Sequence, residues 1–273
     1  MITFSITPKA MLKSVVQHRR LIMSLARHEI IARYRGSVFG LLWSFLNPVF
    51  MLAVYTFVFS VVFQARWGTG GSGSKAEFAL ILFAGLLVFN LFAECISRAP
   101  ALIISNATYV KKVVFPLEIL PWVTLGSALF NAAIGLFVWL LFSLFVFGLP
   151  PLTLFLLPVV LLPLLFFIMG LSWFLASLGV YLRDVSQVIG IVITALMFLT
   201  PIFYPLTAIP ESYHIYIYLN PLTFIVEQVR NLLVFGQGLC LFEHVLLTTC
   251  SVFVAWLGYA WFQKTRKGFA DVL

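Results

Sequence analysis

"HEIIARYRGSVFGLLWSFLNP", residues 28–48, changes character at one point. Up to Arg35 it is charged and reads as a basic surface helix; from Gly36 no charge follows until Arg66. A basic helix is therefore laid directly against a stretch that can cross a bilayer, because a hydrocarbon core of about 30 Å takes roughly 20 apolar residues as a helix.

The rest of the chain repeats the second half of that stretch. Of 273 residues, 62% are hydrophobic, 10% are charged and 29 are phenylalanine, a balance foreign to a soluble domain. Charge-free runs cover 36–65, 119–182, 185–210 and 245–263, the second long enough for two crossings. A further apolar run, 78–93, reaches crossing length if its helix continues through Glu94 toward Arg98. The expectation is an all-α integral membrane protein forming one transmembrane domain over 1–273. An amphipathic helix over 10–35 precedes six spans between 38 and 262, at roughly 38–63, 78–98, 119–147, 153–181, 186–204 and 244–262, and a tail over 263–273 follows.

Orientation follows from the short loops, since cytoplasmic loops retain Lys and Arg. Six spans put Lys9, Lys13, Arg19, Arg20, Arg27, Arg33, Arg35, Arg98, Lys111, Lys112, Arg183, Lys264, Arg266 and Lys267 on one side. Only Arg66, Lys75 and Arg230 fall on the other. Both termini are expected in the cytoplasm, and the net charge of +8 follows from topology without a nucleic-acid partner. No cleavable signal peptide is visible; the first span serves as the insertion signal.

Catalytic patterns fail on inspection. Gly68 and Gly73 have the spacing of a phosphate-binding loop, but Ser74-Lys75-Ala76 follows where Lys and then Ser or Thr is required. His28-Glu29 lacks the second histidine of a zinc helix, Ala32 standing in its place. Cys95, Cys240 and Cys250 have no metal-ligand spacing and read as small buried hydrophobes. The span centres carry almost no ionisable residue, where an ion-coupled carrier would place one. Energy for any transport must then come from another polypeptide.

Four segments remain unusual. In the N-terminal helix, Leu12, Val15, Val16, Ile22, Met23, Ala26, Ile30 and Tyr34 share about a third of the helical wheel, interrupted by Arg19 and Arg33. Such a helix lies on the inner membrane surface, or serves only as a topogenic basic flank. The loop "SRAPALIISNATYVKKVVFPLEILP", 97–121, is too apolar for a solvated connection; it reads as a partner contact or as a lipid-lying segment. The stretch 200–237, with four prolines and two amphipathic pieces, suggests half-helices at about 211–219 and 221–235 that dip back into the outer leaflet, where Glu227 and Arg230 can satisfy each other. Tyr55, Phe59 and Phe63 share one face of the first span, as a lipid-facing belt or as a pore lining whose flat rings contact sugars; Phe198, Phe203 and Tyr204 extend the aromatic set.

These parts in this order resemble the permease subunit of the type-2 ATP-binding-cassette exporters of bacterial cell-surface polysaccharide, the O-antigen, capsule and teichoic-acid group. The resemblance covers essentially the whole chain. It rests on "RYRGSVFGLLWSFLNP", "KKVVFPLEILP", "LRDVSQ", "TPIFYP", "NPLTFIVEQVRNLLVFG" and "FQKTRKGFADVL".

The resemblance implies a homodimer of this chain with two copies of a separate ATPase, which holds ATP and Mg; this chain would be no enzyme and carry no cofactor. Residues 10–35 and about 99–113 would contact that ATPase, the latter as a coupling helix presenting Ile103, Ile104, Tyr109, Lys111 and Lys112. The substrate implied is a polymer, O-antigen above all, on an undecaprenyl diphosphate lipid, crossing the bacterial inner membrane. Arg19, Arg20 and Arg27 would then attract its diphosphate, a contact suited to Arg. An ATP-driven drug or lipid exporter and a membrane assembly protein with no transport role are the competing functions.

Overall fold

In the computed structural model, residues 5–35, 37, 39–40, 42–58, 75–110 and 115–273 are described, and every regular element among them is a helix. Eleven α-helices follow in order among these residues: α1 (Pro8–Tyr34), α2 (Leu42–Tyr55), α3 (Lys75–Arg98), α4 (Ala107–Val110), α5 (Leu120–Val146), α6 (Leu157–Tyr181), α7 (Val185–Leu199), α8 (Glu211–Tyr218), α9 (Pro221–Leu233), α10 (Leu241–Thr265) and α11 (Phe269–Val272).

Among the described residues four stretches are long and apolar enough to cross a membrane: Ala76–Ala101, Leu117–Val146, Leu152–Tyr181 and Leu241–Val272. Two shorter apolar helical stretches, Leu42–Val58 and Val185–Leu199, correspond to the first and fifth expected spans. The fifth is shorter than the sequence suggests for a local reason. Pro201 pushes Thr200 out of the helical region, Thr200 takes ψ 137, and its hydroxyl caps the helix by donating to the Leu196 carbonyl at 2.7 Å.

The core is built around α3. Phe78 through Leu86 are almost wholly buried, because α2, α5, α6, α7 and α9 all pack on this helix. A helix apolar all round must be covered all round. Trp139 of α5 secures one side, its indole N–H donating to the Leu80 carbonyl at 2.9 Å.

α6 and α10 share the most extensive helix–helix contact among the described residues. Their backbones meet at Gly170 and Gly258, where a Cβ on Gly170 would lie 2.6 Å from the Val254 carbonyl oxygen. Small residues let backbones approach this closely where lipid supplies no hydrophobic drive. Trp173 sits beside the contact, its ring 5.2 Å from Tyr259 and 6.1 Å from Trp122.

The last residues are not a loose tail. After α10 the chain turns back, Phe269 is fully buried against Phe262 and Tyr181, and Arg266 pairs with Glu118 at 2.5 Å while donating to the Phe115 carbonyl at 2.8 Å. Ser14 of α1 donates to the same carboxylate at 3.2 Å, and the Trp173 indole to the Glu118 carbonyl at 3.0 Å. Glu118 thus ties α1, α6 and the C-terminus together at one end of the bundle, called here the basic end.

Gly258→Leu should lower the melting temperature of the detergent-solubilised protein, since overpacking a closed contact costs about 1–3 kcal/mol. Gly190→Leu, at a position with nothing within 4 Å of an added Cβ, should leave it unchanged.

Candidate functional site

Toward the basic end of α3, four charges from two helices converge. Arg33 of α1 pairs with Glu94 of α3 at 2.6 Å, Arg98 pairs with Glu29 of α1, and Arg98 lies 3.8 Å from Glu94. Asn131 of α5 donates to both Glu94 oxygens at 3.0 Å, and Arg33 donates to Ser127 at 3.4 Å. The carboxylate at the centre therefore has two cations and a carboxamide, the compensation a charge needs away from bulk water. Arg33, which interrupts the apolar stripe of α1, does so because Glu94 lies beneath it.

Above this cluster a cleft of about 720 Å³ opens between α2, α3 and α5, with Ile193 of α7 closing one side. Its walls are apolar at Met51, Phe83, Leu87, Ala128, Ala132 and Gly135. Its polar groups are Ser44 and Asn47 from α2, Asn90 and Ser97 from α3 and Asn131 from α5, with Arg33 and Glu94 at the base. Trp43 and Tyr55 supply aromatic rings. Small residues of α5, Ala128, Ala132 and Gly135, form one wall, and Gly135 also seats Leu87 of α3, which an added Cβ would meet at 2.6 Å.

Tyr55 connects the cleft to an aromatic group at the far end of α7. Its ring is 6.4 Å from Phe203, which is 5.8 Å from Phe198, and the Tyr204 hydroxyl donates to the Phe198 carbonyl at 2.8 Å. Four of the six aromatic residues singled out in the sequence are thus neighbours. Phe59 and Phe63 lie outside the described residues.

Behind this group, Arg230 of α9 is fully buried. Its Nε donates to the Ile81 carbonyl of α3 at 3.2 Å, Nη1 to Pro201 at 2.5 Å and to Glu227 at 2.7 Å, and Nη2 to Ile202 at 2.6 Å. Gly85 makes room, since a Cβ there would lie 2.8 Å from Nη2. Asn220 caps α9 by accepting from the Leu222 amide at 3.0 Å and reaches back to Thr200 at 2.8 Å. One guanidinium and one carboxamide hold α9, α3 and the turn after α7 in register.

The remaining sequence-derived residues divide. Arg19, Arg20 and Arg27 are exposed on α1, on the side that also exposes Leu12, Val16 and Met23. The other half of the stripe faces α5, where Ala26 is buried and an added Cβ on Gly126 would lie 3.2 Å from it. Between α3 and α5, residues 99–110 form tight turns and the short α4 rather than one continuous helix, and 111–113 lie outside the described residues. Ile103 requires correction: it is fully buried in the protein's own core, because the turn at Ala99–Ala101 packs against α6, and it offers no surface to a partner. Ile104 is exposed, and Tyr109 stacks on Phe115 at 4.3 Å. Lys111 and Lys112 lie outside the described residues.

Residues the sequence did not single out are Glu94, Arg33, Asn47, Asn90 and Asn131. A signal existed: each asparagine interrupts a charge-free apolar run, and polar side chains at membrane depth usually face an interior or a cavity.

Comparison with known proteins places these features in context. Residues 20–234 match the ABC-2 type transporter family. The chain is 28% identical to the O-antigen export system permease protein RfbA of Myxococcus xanthus, over 96% of this chain and 98% of that protein. It is also 28% identical to an RfbA of Klebsiella pneumoniae, over 93% and 95% respectively. Identity to the polysialic acid transport protein KpsM of Escherichia coli is 24%, over 85% and 90%.

Arg230→Met should destabilise the protein by about 3–5 kcal/mol, because it strands buried carbonyls and the Glu227 carboxylate. Arg230→Lys, which keeps the charge but not the fork of donors, should fall between. Thermal unfolding, with proteolysis of the 205–240 region as a second readout, checks both.

Proposed function

Because the chain belongs to the ABC-2 type transporter family, we propose that it is the membrane subunit of an ATP-driven exporter moving lipid-linked polysaccharide, of the O-antigen kind, across the bacterial inner membrane. The observation that carries this reading is the likeness, across nearly the whole chain, to permeases named for O-antigen and for polysialic acid. In the proposed assembly two copies of this chain pair with two copies of a separate ATPase. That partner binds ATP and Mg and supplies the energy; this chain is not the enzyme.

In this proposal α2, α3, α5, α6, α7 and α10 are the six spans, both termini are cytoplasmic, and α8 and α9 are re-entrant from the outer face. The outward side of α1, with Arg19, Arg20 and Arg27 among Leu12, Val16 and Met23, faces headgroups and the diphosphate of the carrier. Ile104 and Tyr109, followed by Lys111 and Lys112, meet the ATPase. Tyr55, Phe198, Phe203 and Tyr204, with Phe59 and Phe63, line the sugar path as a series of weak apolar contacts.

The direct link from α1 to α3 supports a mechanical role for the N-terminal helix. Displacing α1 displaces Arg33 and Glu29, and so acts on Glu94 and Arg98, without an intervening flexible connection. ATPase closure against α1 and the 104–110 segment would be felt at the base of the cleft.

Deleting the chain in its native host should leave lipid-linked glycan on the cytoplasmic side and strip the surface of polymer; normal surface glycan would refute export. The purified chain alone should show no ATP turnover above a mock preparation. Ile104→Asp should reduce copurification with the ATPase and export about tenfold, since an interface tolerates an unpaired charge poorly. Full copurification and export would remove the segment from the interface.

A further inference from the structure

We propose that the cleft between α2, α3 and α5 is a binding site for a neutral, hydroxyl-rich saccharide segment. The inference rests on the export reading above and adds a site within each protomer that meets the aromatic path at Tyr55.

The first ground is composition. A cleft at membrane depth that presents three asparagines and two serines cannot be satisfied by acyl chains, which neither donate nor accept hydrogen bonds. Asn47 and Asn90 both line the cleft and are exposed, so water or a ligand must meet their carboxamides. An amide carries two donors and two acceptor positions, the pattern that vicinal sugar hydroxyls complement.

The second ground is charge. Among the described residues lining the cleft the charged groups are Arg33 and Glu94, and at 2.6 Å they neutralise each other. Among these residues a diphosphate would find no uncompensated cation, and an amine no free carboxylate. Neutral hydroxyls can still accept from Arg33 and donate to Glu94 at the rim of the pair.

The third ground is shape. Trp43 and Tyr55, both lining the cleft, stand twelve residues apart on α2, about 18 Å along a helix. The cleft is therefore elongated, and its volume of about 720 Å³ lies in the range of ligand pockets. Flat rings toward its two ends and hydrogen-bonding groups between them suit a short run of pyranose rings.

The test uses the permease with its ATPase in lipid nanodiscs, in a Cys95→Ala, Cys240→Ala, Cys250→Ala background. Asn90→Cys and Asn47→Cys, on opposite walls, are reacted with a membrane-impermeant maleimide, alone, with maltotriose, or with inorganic pyrophosphate. Both positions should label, maltotriose should slow labelling at least threefold, and pyrophosphate should not. No labelling at either position means a lipid-filled groove, and protection by pyrophosphate alone an anion site. Labelling that neither compound slows means a merely hydrated cavity. Each of the three overturns the proposal. In cells, Asn47→Leu with Asn90→Leu should cut surface glycan at least fivefold while the complex still copurifies; normal export by that variant also overturns it. If the wild-type chain exports no glycan yet maltotriose protects, the export reading fails and the site stands.

Discussion

A guanidinium removed from water needs acceptors for its donors, and Arg230 finds them by drawing three segments to one point. The Ile81 carbonyl of α3, the carbonyls of Pro201 and Ile202 after α7, and the Glu227 carboxylate on its own helix all converge on it. The placement of α8 and α9, the position of the aromatic group at Phe198, Phe203 and Tyr204, and the far end of the cleft all follow from that convergence. Replacing a buried ion pair whole by apolar groups often costs little, whereas removing one partner strands the others. What Arg230 supplies is position: the donor fork fits one arrangement of three backbone segments, whereas apolar packing alone would accept several.

The basic end solves the same problem by a different route. There the charges come from different helices and neutralise one another, Arg33 and Glu29 from α1 against Glu94 and Arg98 from α3. A second tie at Glu118 joins α1 to α6 and to the folded-back C-terminus. α1 is thus fastened along much of its length to the bundle, and its N-terminal approach is held as well, the Trp256 indole donating to the Ile6 carbonyl at 3.0 Å. Half of its apolar stripe serves this fastening. The other half, with the exposed arginines, remains for lipid or a partner.

Both knots act on α3, the most enclosed helix of the molecule. In the proposed exporter this makes α3 the part through which a displacement of α1 reaches the cleft and the aromatic group. On its α5 side the cleft is lined by the small residues Ala128, Ala132 and Gly135. Gly135 at the cleft and Gly170 with Gly258 on the other side of the bundle act alike in admitting a close neighbour, Leu87 in the first case and facing backbone in the second.

Membrane class, helical content and the approximate ends of the helices were legible in the sequence, because charge-free length and proline position are properties of the local chain. The breaks before Leu120 and after Leu199 stand at Pro116 and Pro201, and the cap at Asn220 precedes Pro221, all readable without a fold. Partner identity was not. Nothing local tells Glu94 that it will meet Arg33 and Asn131, or Arg266 that it will meet Glu118. Nor does Ile103 differ in sequence from its neighbour Ile104, although one is buried and the other exposed. The segment 263–273 reads in sequence simply as a tail, yet Phe269 anchors it in the core. Hydrophobic pattern records how much of each helix must be covered; only the tertiary structure decides by what, since covering partners come from distant segments and each polar group among them must be matched in place.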